Sequence, residues 1–422
     1  MKEELLQFIW AHGLFNRTNL QTADGLPVQI DSLGTINHVA GPDFSESKVR
    51  LGETIWAGNV EIHVLASEWR YHNHQFDPAY NSVILHVVYE NDEQALNQKG
   101  DAIPTLELKG RIPRHTLLSY EKLKASKEKI PCSNHFADFP QIKFSGWLQR
   151  LLIARLERKT SDIELLWKLN GHDWLQTFYA LFCSYLGQNH NKLPFQELAR
   201  VLPYQIIAKH INDRSQIECL LFGVAGLLNE ELEGAKYKSL QRDFHFLSAK
   251  YNLKPISQQW KLGGIRPEAF PFRRLALLSA IVPKTQEIFK SLMTREIVEL
   301  TALPLAEMEF WNNRYSFKEK SISAKPIKLT NGISQLLNIN VFAPFLFFYG
   351  KQSGSDLFIE YAIRLLENQD AESNSMVRSW VKLGFEPKSA ADSQSLIELT
   401  SQYCDHKKCV ICNVGKSIIL TK

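Results

Sequence analysis

The chain has 422 residues, more than one domain of the usual size of about 100–200, so a lone small fold is excluded. Hydrophobic residues make up 44% and charged residues 22%, with 24 Phe and 9 Trp to fill cores, which excludes global disorder. The net charge of +4 conceals a division: residues 1–115 hold 9 Lys and Arg against 15 Asp and Glu, a balance of −6, and the remainder carries +10.

The first element is an amphipathic helix over Glu3–Phe15, with Leu5, Leu6, Ile9 and Trp10 on one side and Gly13 ending it. Its acids, Glu3 and Glu4, stand where a signal peptide needs basic residues, which predicts a cytoplasmic protein. Extended runs follow around Pro27–Ile30, Thr35–Val39, Ser47–Leu51, Thr54–Leu65, Val83–Tyr89 and Ile103–Leu108. Turn signals separate them at Asp24-Gly25, Gly41-Pro42, Gly52-Glu53 and Gly100-Asp101. From about residue 116 the period turns helical, beginning with Trp147–Leu166 and continuing through Trp174–Gly187, Tyr237–Tyr251, Phe272–Ile281, Ile297–Ala302, Ile333–Asn338 and Asp356–Leu366. The pattern predicts an α+β chain: a mixed-sheet domain over 1–115, a linker over 116–140 and a basic helical domain over 141–422. The most apolar run, Val341–Tyr349, is short and contains Pro344, so no membrane span is expected.

The residues that suggest chemistry lie mostly in the head, which also holds 7 of the 13 His. In Gly58-Asn59-Val60-Glu61-Ile62-His63, strand alternation places Glu61 and His63 on one face. Asp43 precedes the neighbouring strand, and a tight hairpin around Gly52-Glu53 would bring it beside Glu61. Two adjacent carboxylates repel unless a cation neutralises them, and hard oxygen ligands suit Mg²⁺ or Mn²⁺. Further on, His72, His74 and Asp77 admit three readings: a transition-metal site completed by His63, groups that contact a phosphate or move a proton, or ordinary polar residues of a surface turn.

At Pro42-Asp43 and Glu61-Ile62-His63 the sequence resembles the PD-(D/E)XK nuclease-like superfamily. Its core runs helix, strand hairpin, helix, strand, with Pro-Asp on one strand and Asp/Glu-x-Lys on the next. The resemblance covers about residues 1–110 and implies a restriction-endonuclease-like domain cleaving DNA or RNA. It makes Asp43, Glu61 and the Ile62 carbonyl the metal ligands, joined by an acid of the first helix, Glu3, with Glu4 beside it. His63 stands where the superfamily usually places the Lys that orients water. The alternatives are a nucleic-acid-binding or scaffold protein that keeps the fold without the activity, and a hydrolase of another small substrate using the His cluster. The whole chain also resembles an uncharacterised bacterial domain-of-unknown-function family, on Gly41-Pro42-Asp43-Phe44, Gly58–His63, the Asp77–His86 block and the Cys-rich end.

In the body, Arg266, Arg273 and Arg274 lie among Pro267 and Pro271. They form a candidate phosphate clamp or a set of helix caps. Near the end, Cys404, Cys409 and Cys412 have Cys-x4-Cys-x2-Cys spacing around His406, a donor set for Zn²⁺ or, with Cys132 as an alternative fourth ligand, for zinc or an iron–sulfur cluster. Cys183 and Cys219 sit on apolar helix faces and are expected in the core.

Overall fold

The computed structural model describes residues 1–421 apart from His38, Ile297, Pro304, Ala306, Glu307, Glu319 and 321–324, with the backbone alone at Asn189. The fold is α+β, a mixed sheet followed by a mostly helical region. The chain divides into two compact units. The first comprises Met1–Trp147, Arg378–Phe385 and Ile397–Lys422; the second comprises Leu148–Val377 and Glu386–Leu396.

In the first unit, helix α1 (Glu3–Ala11) buries Leu5, Leu6, Phe8, Ile9 and Trp10. The Trp10 indole donates to the Leu33 carbonyl at 3.0 Å, which ties the helix to the sheet region. Among the described residues seven strands form one sheet: β1 (Leu20–Gln21), β2 (Pro27–Ser32), β3 (Thr35–Ile36), β4 (Phe44–Leu51), β5 (Thr54–Leu65), β6 (Val83–Glu90) and β7 (Thr105–Glu107). Their order is β1-β2-β4-β5-β6-β7, with β3 pairing β4. The pairs up to β4–β5 are antiparallel, and β5–β6 and β6–β7 are parallel.

Two local features of the β4–β5 hairpin set the positions of its acids. Gly52, at φ 59°, closes the hairpin with a left-handed backbone that favours glycine. A bulge between Phe44 and Ser47, with Glu46 at φ 58°, leaves Phe44 opposite Val60, so the next position places Asp43 opposite Glu61. Because β5 and β6 are parallel, the chain needs a crossover between them. Residues 66–82 supply it with helix α2 (Glu68–Tyr71) and the 3₁₀ turns His74–Phe76 and Pro78–Ser82.

The expected linker is part of the first unit. Helix α3 (Arg114–Ala125) occupies its start, and Cys132 precedes the 3₁₀ turn Ser133–Asp138, where Phe136 is buried. The Cys-rich end, assigned by the sequence to the helical domain, also belongs to the first unit. Local periodicity does not carry such long-range ties as Phe136 against Trp380, 5.2 Å between rings, and the Trp380 indole donating to Thr400 Oγ1 at 2.9 Å.

The second unit is helical around a core that includes Phe178, Phe182, Phe222, Trp311, Phe342 and Phe345. Each such side chain contributes roughly 1.5–3 kcal/mol by leaving water. Helix Asn331–Ser353 has 23 residues and a window of mean hydropathy 1.3, long and apolar enough to cross a membrane, contrary to the expected break at Pro344. The chain passes Pro344 because the preceding turn, Asn338–Phe342, is a π-turn, and the proline falls at the start of the α-helical part, where its missing N–H is tolerated. Phe342, Phe345 and Leu346 of this helix are buried in the second unit's core. The expected helix Ile297–Ala302 begins on a residue outside those described; its end is the 3₁₀ turn Leu300–Ala302.

Candidate metal centre

The carboxylates meet as the hairpin register dictates. The Asp43 N–H donates to Glu61 Oε2 at 3.0 Å, and Asp43 Oδ2 accepts the Ile62 N–H at 3.1 Å. Each strand therefore orients the other's acid. The Asp43 carbonyl accepts the Asn37 N–H at 2.7 Å, and Asn37 Nδ2 donates to the Pro42 carbonyl at 3.0 Å, which holds the Gly-Pro-Asp turn. From α1, Gln7 Nε2 donates to Asp43 Oδ1 at 2.9 Å and to Glu3 Oε1 at 3.1 Å, linking the third acid to the pair.

Glu61 Oε1 faces imidazoles. It lies 3.6 Å from His63 Nε2 and 3.5 Å from His74 Nε2. His63, His72 and His74 each offer one ring nitrogen, and these three atoms lie within 4.8 Å of one another. His63 Nε2 is 3.1 Å from His72 Nδ1, and His63 Nδ1 is 2.8 Å from His86 Nε2. His86 is on β6 directly beside Glu61, and His74 stacks on Tyr80 with 3.8 Å between ring centroids. The crossover thus returns His72 and His74 to the strand that carries Glu61 and His63.

The electrostatics follow from burial. Glu61 is pushed up from 4.5 to about 9, first by desolvation, then by the charges of Asp43 and Glu3. Asp43 and Glu3 are also raised, desolvation again leading. Burial, followed by the neighbouring imidazoles, pulls His63 down to about 2, His86 to about 3 and His74 to about 4. Burial and the neighbouring acids thus favour the protonated form of Glu61, and burial favours neutral rings at His63, His74 and His86, the form that ligates metals. A divalent cation removes both penalties, so these residues fit one. The mixed nitrogen and oxygen donor set suits Zn²⁺ or Mn²⁺ better than Mg²⁺, which prefers oxygen alone.

The expected roles change accordingly. His63 is 1% exposed and both its ring nitrogens face other imidazoles, an environment that suits one of a group that could hold a metal ion better than a base open to water. For Nε2 to bind a cation, Nδ1 keeps its proton and donates to His86, which makes His86 the residue that orients His63. Ile62 engages Asp43 through its N–H. Sequence reasoning did not single out Gln7 or His86 as parts of this site; the parallel pairing that sets His86 beside Glu61 is a long-range signal.

The other candidates fall elsewhere. Arg273 is buried and donates to the carbonyls of Trp311 at 2.9 Å and Arg314 at 3.1 Å, and to that of Lys325. Its donors serve the protein's own backbone, not a phosphate. Arg274 is buried and lowered to about 10 by desolvation, while Arg266 is exposed, so the three do not form one clamp. His406 is exposed, whereas Cys404, Cys409 and Cys412 are buried, and the fourth thiol beside them is Cys132.

No curated protein and no solved structure matches the chain. A family model described as "Protein of unknown function (DUF2851)" matches residues 3–375, and the chain belongs to that family.

Proposed function

We propose that this protein is a metal-dependent phosphodiesterase acting on DNA or RNA through the centre built on Glu61. The observation that carries the reading is the position of that carboxylate. One of its oxygens is fixed by the Asp43 N–H, and the other faces His63 and His74, in a buried site whose acids repel one another. The order α1, hairpin β4–β5, crossover with α2 and parallel strand β6 is the order that the PD-(D/E)XK resemblance implies. The +10 balance after residue 115 supports a polyanionic substrate.

Glu61, His63, His72 and His74 would hold the cation, with Asp43 and Glu3 adjoining. When bound, the ion polarises a phosphoryl oxygen and lowers the pKa of water. The chain's own contribution is positional. Asp43 is oriented by Gln7 and the Ile62 N–H, His63 is oriented by His86, and Tyr80 supports the ring of His74. These groups are locked before substrate arrives, which preserves the site geometry during reaction.

A second reading rests on the three imidazoles: the same centre hydrolyses a small substrate by zinc chemistry. One panel decides. Single- and double-stranded DNA and RNA are incubated with Mg²⁺, Mn²⁺ or Zn²⁺, using the wild-type chain and Asp43→Asn. Cleavage dependent on Mn²⁺ or Zn²⁺ and lost in Asp43→Asn supports the phosphodiesterase. Binding without cleavage under every condition leaves the non-catalytic nucleic-acid-binding reading.

A further inference from the structure

Among the described residues, only His63, His72 and His74 bring three metal-donor atoms within 4.8 Å of one another, so the buried thiols are not placed to share an ion. The second unit holds a different kind of site. It is a cavity of about 650 Å³ lined by three helices, α4 (Gln141–Leu169), α5 (Trp174–Leu186) and α6 (Gln188–Val201). Small-molecule sites span roughly 300–1,000 Å³. Its lining on α4 runs from Lys159 to Leu169, roughly 15 Å at about 1.5 Å per residue, so the cavity is an elongated groove.

The groove is apolar along its length. On α4, Leu165 and Leu169 lie one turn apart on one face and are 61% and 75% exposed; on α6, Leu193 is 63% exposed. Buried Ile163, Ala180 and Leu181 line it as well. Three leucines open to water in one groove carry a hydration cost that an apolar ligand removes.

A few polar groups accompany them. Ser184 lines the groove at 1% exposure, and its hydroxyl has no hydrogen-bond partner. Beside it in sequence, the Tyr185 ring carries the Lys192 ammonium, 5.1 Å from the ring centroid. Lys192 pairs with no carboxylate among the described residues. Helix α6 is kinked just before this lysine: Asn191 has φ −125° and ψ 22°, its amide exchanges hydrogen bonds with the Lys261 backbone at 2.8 and 3.1 Å, and Pro194 interrupts the helix's own ladder. The other lining cations are engaged. Lys159 donates to Asn340 Oδ1 at 2.9 Å, and Arg200 stands 3.6 Å from Glu197, whose carboxylate also accepts the Ser257 and Gln258 N–H groups. Asp162, the second acid of the lining, is exposed.

We propose that this groove binds a monocarboxylate of the fatty-acid class, with its chain along Leu165, Leu169 and Leu193 and its carboxylate between the Lys192 ammonium and the Ser184 hydroxyl. The elongated apolar lining favours an extended chain over a compact ring system. The unpaired ammonium and hydroxyl favour an acid over an alcohol or an amine, since a carboxylate accepts charge-assisted hydrogen bonds from both. The site is independent of the centre at Glu61.

The test uses the full chain and cis-parinarate, a fluorescent fatty acid, displaced by laurate or 1-dodecanol below the concentration at which either aggregates. One site per chain is expected, with laurate about tenfold the better competitor. Ser184→Ala should weaken parinarate binding about 2–10-fold. The melting temperature of the free variant should match or exceed the wild type, because an unpaired buried hydroxyl is gone; a merely structural serine would not weaken binding. Lys192→Glu and Leu193→Asp should weaken it further, whereas Glu61→Gln should bind as the wild type does. Absence of parinarate binding, equal displacement by 1-dodecanol, or unchanged affinity in Leu193→Asp would overturn the proposal. Self-association lost in Leu193→Asp, in a chain that does not bind parinarate, would give the groove to a second copy and overturn it as well.

Discussion

The Asp43 N–H donates to Glu61 Oε2 at 3.0 Å, so the two acids whose charges repel are held together by the backbone of one and the side chain of the other. Such an arrangement is costly without a counter-ion, because burial raises both carboxyl groups and the charge of Asp43 raises Glu61 further. A bound cation would offset these costs, which would link the geometry of this pair to the protein's stability.

Stability should therefore depend on pH in the direction opposite to that of a salt-bridged acid. Glu61 rises from 4.5 to about 9 on folding, so without metal the folded state binds its proton more tightly than the unfolded state. That contribution is fully present below pH 4.5 and is lost as pH rises towards about 9. A divalent ion replaces the proton, and the gain in melting temperature on adding Mn²⁺ or Zn²⁺ to chelator-treated protein should grow over this interval. At 100 times the dissociation constant the gain is about 2.7 kcal/mol. Melting curves at several pH values, with and without metal, check this; a gain that shrinks with rising pH contradicts it.

His86→Leu should weaken metal binding at the Glu61 centre by about 10–100-fold while the fold survives, because it removes the partner that orients His63. Isothermal titration with Mn²⁺ measures the change. Unaltered affinity would mean that His63 does not ligate through Nε2.

Arg273→Ala should destabilise the protein by roughly 2–3 kcal/mol, since it leaves buried carbonyls of the second unit without a donor. Nucleic-acid affinity should not change. Loss of affinity with intact stability, measured by denaturant unfolding and filter binding, would restore the phosphate-clamp role.

Nucleic-acid affinity should fall steeply as salt rises, with a linear dependence of log K on log salt concentration, if the positive charge after residue 115 engages phosphates. Fluorescence anisotropy over a salt series reads the slope. A flat response would exclude a polyanionic substrate held by phosphate contacts.

Much of the head is legible locally. Alternation in Thr54–Leu65 places Glu61 and His63 together, and the Gly52 turn brings Asp43 to the same end of the hairpin, although the bulge between Phe44 and Ser47 that sets it opposite Glu61 is not legible. The arrival of His72 and His74 is not legible, because it depends on the parallel pairing of β5 with β6 and on the course of the crossover. Arg273 misleads for a related reason: its chemistry suits phosphate or carbonyl equally, and the carbonyls it meets belong to residues 311, 314 and 325. Pro344 shows the limit of treating proline as a stop, since the π-turn before it lets the helix continue.

The decisive measurement is cleavage of a labelled oligonucleotide by the metal-free full chain before and after addition of Mn²⁺, with Glu61→Gln run in parallel and metal binding followed on the same samples. Cleavage should appear with Mn²⁺ in the wild type, and Glu61→Gln should lose both metal binding and cleavage while remaining folded by circular dichroism. Cleavage that persists in Glu61→Gln, or that proceeds equally in chelator, would contradict a metal-dependent centre at Glu61.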